Sequence, residues 1–364
     1  MHSIDTLTLQ LVTEEQFASL NPAWQQLLAQ SGADSLFLSW HWAHSWWSSF
    51  RQPSDELNLI TATNKEGEMV ALAPLYSAKV STRTGLNYRS LQFIGTRYKG
   101  SSGYRSECLE FLINPNYPNA AEQLVGYIRQ HCRYHLLYLS DLMLSSSTAA
   151  ACHRFFPSIY PDSVNQTYAI DTTAEFDSYL KQLGKNTRLR GYNRRTLLAN
   201  LGHFSIEQNT HADIEHVFST LSRYHERRWT SDLNSAKHQR FMTLLTKSNH
   251  IAFSGSTLYL DENAIATSLD LIAGMRCYNI QLGFNDSISK KISLGLITLF
   301  YCIERCFASD LQHYDLLTGT GKKADYKPRM SVADRQFQTL VIPVSTVLRL
   351  LFYVKNLARK LFKR

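Results

Sequence analysis

The order of elements in this sequence returns on itself once. Residues 57–63 and 69–80 are strand-like and flank the polar turn Asn64-Lys65-Glu66-Gly67-Glu68, the pattern of a hairpin. Short strands at 90–94 and 108–113, a helix at about 120–134 and a strand at 136–140 follow. A helix in that place suits a crossover connection between parallel neighbours. Residues 257–260 and 264–273, joined by Asp261-Glu262-Asn263, begin the series again, with a strand at 276–282, a helix at 294–308 and a strand at 314–317. A repeat of about 150–190 residues is long enough for each copy to be a domain of ordinary size. The chain is expected to fold as two similar mixed α/β domains, 1–165 and 166–342, followed by a distinct segment at 343–364.

The length of 364 residues agrees with two domains at roughly 100–200 residues each. Hydrophobic residues at 44% and charged ones at 19% exclude a disordered or collagen-like chain. The formal net charge of +8 favours an anionic partner such as phosphate, a phosphorylated cofactor, nucleic acid or an acidic lipid surface, without choosing among them. Cys108, Cys132, Cys152, Cys277, Cys302 and Cys306 form no C-x-x-C pair and sit in apolar or helical stretches, so they read as reduced core residues. Met1-His2-Ser3-Ile4-Asp5 has no basic region leading into an apolar run, which points to the cytoplasm. With no run of 18 uncharged apolar residues, any membrane contact is expected to be peripheral.

The second copy carries the residues most suggestive of chemistry. Its strand at 276–282 leads through a polar loop with Lys290 and Lys291 into a helix that Ser293 is placed to cap, with Gly295 close behind. Free N–H groups of a first turn, a glycine allowing close approach and two lysines upstream are what a pyrophosphate needs. Equally, an ordinary capped helix with solvated lysines would carry the same residues. The strand at 314–317 runs into Thr318-Gly319-Thr320-Gly321-Lys322-Lys323, which fails the nucleotide-loop pattern because Leu316 and Lys323 stand at its glycine and hydroxyl positions. Asp315, Tyr326 and Lys327 could project from there into a cleft, an acid, a phenol and an ammonium able to handle protons and developing charge.

Between the copies, a long basic helix is expected from about 174 to 201, with Arg188, Arg190, Arg194 and Arg195 close together. Such a run is either a solvated face or a set of guanidinium forks for phosphate or acidic sugars. His225, Arg228 and Trp229 fall about one turn apart in Tyr224-His225-Glu226-Arg227-Arg228-Trp229, a packing cluster or a substrate site. The aromatic stretch with Trp40, Trp42, Trp46 and Trp47 reads as core behind a Ser39 cap. His131 and His135 have the spacing of a helical metal pair but lack the accompanying glutamate, and no metal is expected.

On a helical wheel the segment 343–364 places Val344, Val347, Leu350, Leu351, Val354, Leu357, Ala358, Leu361 and Phe362 in one stripe, with six cations elsewhere and no acid. It reads as a basic amphipathic helix that either anchors on acidic lipid or docks on its own domain.

Taken in order, these marks resemble the GNAT-like acetyltransferase family of the CelD/BcsL type, associated with cellulose and other exopolysaccharide synthesis and related to the Fem peptidoglycan aminoacyl ligases. The marks are Phe37-Leu38-Ser39-Trp40-His41-Trp42 with Trp46-Trp47, the run Arg188 to Arg195, the 224–229 motif, Ser293-Leu294-Gly295, and Asp315-Leu316-Leu317-Thr318-Gly319 followed by Tyr326-Lys327. Leu294 stands where the family usually has proline. The resemblance implies tandem GNAT-like domains, each a mixed, mostly antiparallel sheet flanked by helices, and transfer of an acyl group from acetyl-CoA or another acyl-CoA without a metal. On that footing Lys290, Lys291, Ser293 and Gly295 would hold the donor pyrophosphate. Arg188, Arg194, Arg195, His225, Arg228 and Trp229 would hold a nucleotide- or lipid-linked amino sugar. Asp315 would accept the amine proton, and Tyr326 or Lys327 would steady the developing anion. The resemblance also leaves open an aminoacyl-tRNA-dependent ligase, and a non-catalytic scaffold docked at a membrane polysaccharide synthase.

Overall fold

The structure, a computed structural model, describes residues 6–82, 85–100, 103–225, 236–319 and 326–362. Along the chain come β1 (Thr8–Leu11), α1 (Glu14–Ser19), α2 (Asn21–Ser31), α3 (Trp40–Phe50), β2 (Glu56–Thr63), β3 (Met69–Ser81), β4 (Asn87–Phe93), β5 (Leu112–Ile113), α4 (Ala120–His131), β6 (Leu136–Met143), α5 (Ser147–Phe155) and β7 (Tyr160–Asp171). Next are α6 (Phe176–Gln182), α7 (Lys185–Arg188), a π-turn (Leu189–Asn193), α8 (Arg195–Ala199), β8 (Phe204–Gln208), α9 (Ile214–His225) and α10 (Ala236–Leu245). The chain continues through β9 (Ile251–Ser254), β10 (Ser256–Leu260), β11 (Asn263–Ala273), β12 (Arg276–Phe284), α11 (Leu294–Phe307), β13 (His313–Asp315), α12 (Lys327–Met330), β14 (Val332–Pro343) and α13 (Thr346–Phe362).

Two compact units result, Met1–Asn165 together with Gln336–Arg364, and Gln166–Arg335. The sequence reading assigned 336–342 to the second domain and treated 343–364 as a separate tail. In the structure both stretches group with the first unit, because β14 pairs with β6 from Phe337↔Met143 to Pro343↔Leu136. That long strand escaped the sequence reading, which placed no element between Lys327 and Pro343.

Unit 1 is a sheet in the order β1-β2-β3-β4-β6-β14, with β5 against β3. β2, β3 and β4 are antiparallel neighbours, β4 and β6 are parallel, and α4 supplies the crossover between them. The helices cover it with aromatic rings: Trp24, Trp42, Trp46 and Phe17 are fully buried. Ser39 caps α3 by accepting from the Trp42 amide at 3.1 Å, which fixes where that aromatic helix starts. His135 takes no part in a helical pair with His131, since α4 has ended and its Nδ1 accepts from the Arg89 amide.

Unit 2 repeats the scheme in the order β7-β13-β12-β11-β10-β8, with β9 against β11. β10, β11 and β12 are antiparallel, β12 and β13 are parallel, and α11 is the crossover. Both units are mixed α/β sheets flanked by helices, with the internal repeat visible strand for strand. The single long basic helix does not form. Leu183 has extended backbone, α7 begins only after it, and the π-turn then interrupts the remainder.

Glu110, mostly buried just before β5, has its carboxyl pushed up to about 7, first by burial and second by the charge of Asp34. Its folded-state value lies above the unfolded one, so the stability it contributes is complete below about pH 4.5 and lost as pH rises through 7. Glu110→Gln is expected to leave unit 1 nearly unchanged at pH 5 and to stabilise it at pH 8 by on the order of 2–3 kcal/mol. Urea unfolding followed by tryptophan fluorescence checks this, because Trp24, Trp40, Trp42, Trp46 and Trp47 all lie in unit 1.

Candidate functional site

The loop that follows β12 is held in shape by its own side chains. Asn285 Oδ1 accepts from both the amide and the hydroxyl of Ser287, and Ser289 Oγ accepts from the Lys291 amide. Lys290 and Lys291 are left exposed at the entrance to α11. Ser293 stands at the N-cap but its side chain makes no capping hydrogen bond, so the first-turn amides of a 14-residue helix are not satisfied by it.

Two further cations reach the same place from the π-turn. Gly191 lies where a Cβ would come within 2.2 Å of the Phe300 ring of α11, so only glycine lets the turn pack this closely. A π-turn carries an extra residue per turn and often marks a functional site. Here Arg190 within it and Arg194 at its end line one pocket with Lys290, Lys291, Ser293, Asn285 and Asp286. Arg194 also donates to the Lys291 carbonyl at 2.5 Å, fastening the turn to the loop. The pocket measures about 200 Å³, less than the roughly 300–1,000 Å³ usual for a whole small-molecule site. With four cations, one carboxylate and a helix N-terminus, it suits a pyrophosphate-sized dianion.

Gly295 plays a different part from the one expected. A Cβ there would meet the Phe284 ring at 2.6 Å, so the glycine makes room for an aromatic side chain and not for a ligand.

The remaining expected site residues divide sharply. Arg195 pairs with Glu304 at 2.6 Å and lies against the rings of Tyr301 and Tyr192, its guanidinium carbon 3.7 and 4.6 Å from their centroids. Arg188 donates to the Leu180 carbonyl. Neither lines the cationic pocket, and Arg194, expected on the acceptor side, shares the pocket of the lysines. The side chain of His225, with Arg228 and Trp229, lies outside the described residues.

Asp315 is fully buried, with Oδ2 2.9 Å from Arg276 and 2.8 Å from Arg335 and Oδ1 accepting from the Leu317 amide at 2.7 Å. A carboxylate held by two guanidinium groups and a backbone amide directs its charge to the protein itself. The Lys327 ammonium donates to the carbonyls of Leu316, Leu317 and Thr318 at 2.5, 3.1 and 2.9 Å. It braces a loop in which Leu317 has a φ of 58° and is not free to meet a substrate anion. Tyr326 packs on the core, and burial pushes its phenol up to about 12. None of the three lines the cationic pocket.

Arg190 was read within the arginine run but not assigned to the site, although it lies four residues from Arg194. Two further features carried less of a signal. Asn285 and Ser289, which shape the loop, had none beyond their turn-forming chemistry. Asp270 is fully buried on β11, accepting from Asn279 at 2.7 Å and from the Tyr314 hydroxyl at 3.2 Å, and burial pushes its carboxyl up. That network ties β11, β12 and β13 together away from solvent.

β12 and β13 pair in parallel from Arg276↔His313 to Tyr278↔Asp315, after which β12 runs on beside β11 to Phe284 and the loop of the pocket. Residues 185–328, which span every element of the pocket, match the family described as acetyltransferase (GNAT) domain. No curated protein matches the chain. Among solved structures, FemX is similar at 10% identity and a TM-score of 0.63, covering 94% of this chain and 99% of that one. A tandem GNAT protein from the clavulanic acid biosynthesis pathway has 10% identity and a TM-score of 0.52, with 92% and 98% covered. L-PGS from Bacillus licheniformis has 10% identity and a TM-score of 0.51, with 94% and 97% covered. The fold is similar to that of tandem GNAT-like proteins, and the stretch of unit 2 from 185 to 328 matches the acetyltransferase (GNAT) domain family.

Arg190→Ala combined with Arg194→Ala is expected to weaken binding of inorganic pyrophosphate at least about tenfold, the equivalent of roughly 1.4 kcal/mol. Lys327→Met should instead leave pyrophosphate affinity within about twofold while destabilising unit 2 by on the order of 2–4 kcal/mol, since three carbonyls lose their donor. Calorimetry and urea unfolding on both variants separate the two roles.

Proposed function

We propose that this protein is an acyl-CoA-dependent N-acyltransferase, with acetyl-CoA the first donor to test, acting on an amino sugar of a nucleotide- or lipid-linked precursor of a cell-surface polysaccharide. One observation carries the reading: within the stretch that matches the acetyltransferase domain, Arg190, Arg194, Lys290 and Lys291 converge at the N-terminus of α11. The donor would supply a thioester, so that a C–N bond to the acceptor amine forms, the C–S bond breaks, and the amine proton leaves as the thiol departs. The four cations and the first-turn amides would hold its pyrophosphate. Asp286, the carboxylate among the described lining residues, borders the same pocket.

A second pocket, of about 390 Å³, shares Asn285 with the first and is lined by Arg223, Tyr224, Asp261 and Asn263 among others. It offers a guanidinium for an acceptor phosphate and a carboxylate for sugar hydroxyls or the amine. Tyr224 is fixed there by donating to the Ala264 carbonyl at 2.6 Å. With Asp286 the one carboxylate among the described residues lining the cationic pocket, rate enhancement in this reading comes mainly from holding donor and acceptor in register.

Calorimetric titration with acetyl-CoA, longer acyl-CoAs and free CoA tests the donor class. Saturable micromolar binding, weakened about tenfold or more by Lys290→Ala with Lys291→Ala, is the expected result. No binding to any of them overturns the reading in favour of an aminoacyl-tRNA donor, whose activity RNase would abolish, or of a non-catalytic scaffold.

A further inference from the structure

The last helix is amphipathic in an unusual sense, because it buries the wrong side. α13 is held to unit 1 by Leu348, which is almost fully buried in a cluster with Val80, Tyr88, Leu136 and Val341, and by Phe352, whose ring lies 5.7 Å from that of Tyr160. The apolar stripe faces the other way. Val347, Leu350, Leu351, Val354 and Leu357 are between 47% and 64% exposed, and Tyr353 beside them is 61% exposed. Isolated exposed apolar residues are ordinary, but five along one helix face are a patch of the kind that marks an interaction site.

We propose that this face of α13 inserts into the surface of an acidic lipid bilayer, with Leu348 and Phe352 fixing the helix to unit 1 so that the protein rides on the membrane. Charge complementarity selects that occupant. The helix sequence carries Arg349, Lys355, Arg359 and Lys360 and no Asp or Glu. Lys99, its ammonium 5.9 and 5.4 Å from the rings of Tyr88 and Tyr98, adds an exposed cation beside the cluster that seats the helix. Interfacial helices bind through buried apolar area together with cations that meet anionic headgroups. No helix among the described residues is long and apolar enough to cross a membrane, so the contact is with one surface. The proposal stands on α13 alone and does not depend on the acyl-transfer reading.

The test is sedimentation of the full chain with vesicles of phosphatidylcholine alone and of phosphatidylcholine with 30% phosphatidylglycerol. Binding is expected to the acidic vesicles, at least tenfold weaker to the neutral ones, and reduced at least tenfold by Leu350→Glu with Val354→Glu. Because both positions are exposed, the double variant should keep the unfolding transition of the parent protein. Lys355→Gln should weaken binding severalfold and lessen its salt dependence. Failure to bind acidic vesicles, or equal binding of parent and double variant, overturns the proposal. So does a dimer in analytical ultracentrifugation that the double variant dissociates, since a second copy of the chain would then own this face.

Discussion

The contact of Gly191 with the Phe300 ring is the constraint on which the cationic pocket depends. A Cβ at that position would lie inside van der Waals distance of the ring, so the backbone of the π-turn can lie flat on α11 only because there is none. From that contact follow the positions of Arg190 and Arg194, the bond from Arg194 to the Lys291 carbonyl, and the closure of the pocket around a helix N-terminus. Gly295 and Phe284 repeat the device at the other side of α11. At both glycines aromatic packing leaves no room for a side chain.

Charged residues in unit 2 sort by burial into two groups with opposite uses. Asp315, Arg276, Arg335 and Lys327 are largely or wholly buried and direct strong interactions to the protein itself, as Arg195 does through its ion pair with Glu304. Removing one partner of such a set leaves an uncompensated buried charge, which is costly, so these groups stabilise a particular arrangement and are poor candidates for cycles of proton uptake and release. Arg190, Lys290 and Lys291 are exposed. Their charge is available to a ligand.

The tandem architecture was legible in the sequence because hairpin turns, strand patterning and a crossover helix recur in the same order, and each of those signals is local. The loop of Lys290 and Lys291 leading to a helix start at Ser293 was legible for the same reason: a strand, a loop and a helix start are contiguous. What could not be read were relations between distant segments. Periodicity does not reveal that Leu183 is extended or that a π-turn follows, and it gave one helix where there are several. Asp315, Tyr326 and Lys327 have the residue types of catalytic groups, and the sequence does not reveal that Arg276, Arg335 and three backbone carbonyls partner two of them. The tail was read correctly as amphipathic, yet Leu348 and Phe352, which lie outside the apolar stripe of the wheel, are the residues that seat it.

The order of strands also bears on how this chain is made. β14, which pairs with β6 in unit 1, is synthesised only after the whole of unit 2. At roughly 5–20 residues added per second, unit 1 waits on the order of ten seconds or more with β6 unpaired along one side. That edge carries Leu136, Leu137, Leu139 and Leu142, all buried in the finished protein. An apolar edge strand left open for so long is a template for mispairing. The nascent first half is therefore a natural client for a ribosome-associated chaperone, and slowing or truncating translation before β14 should be more damaging than the loss of one strand suggests.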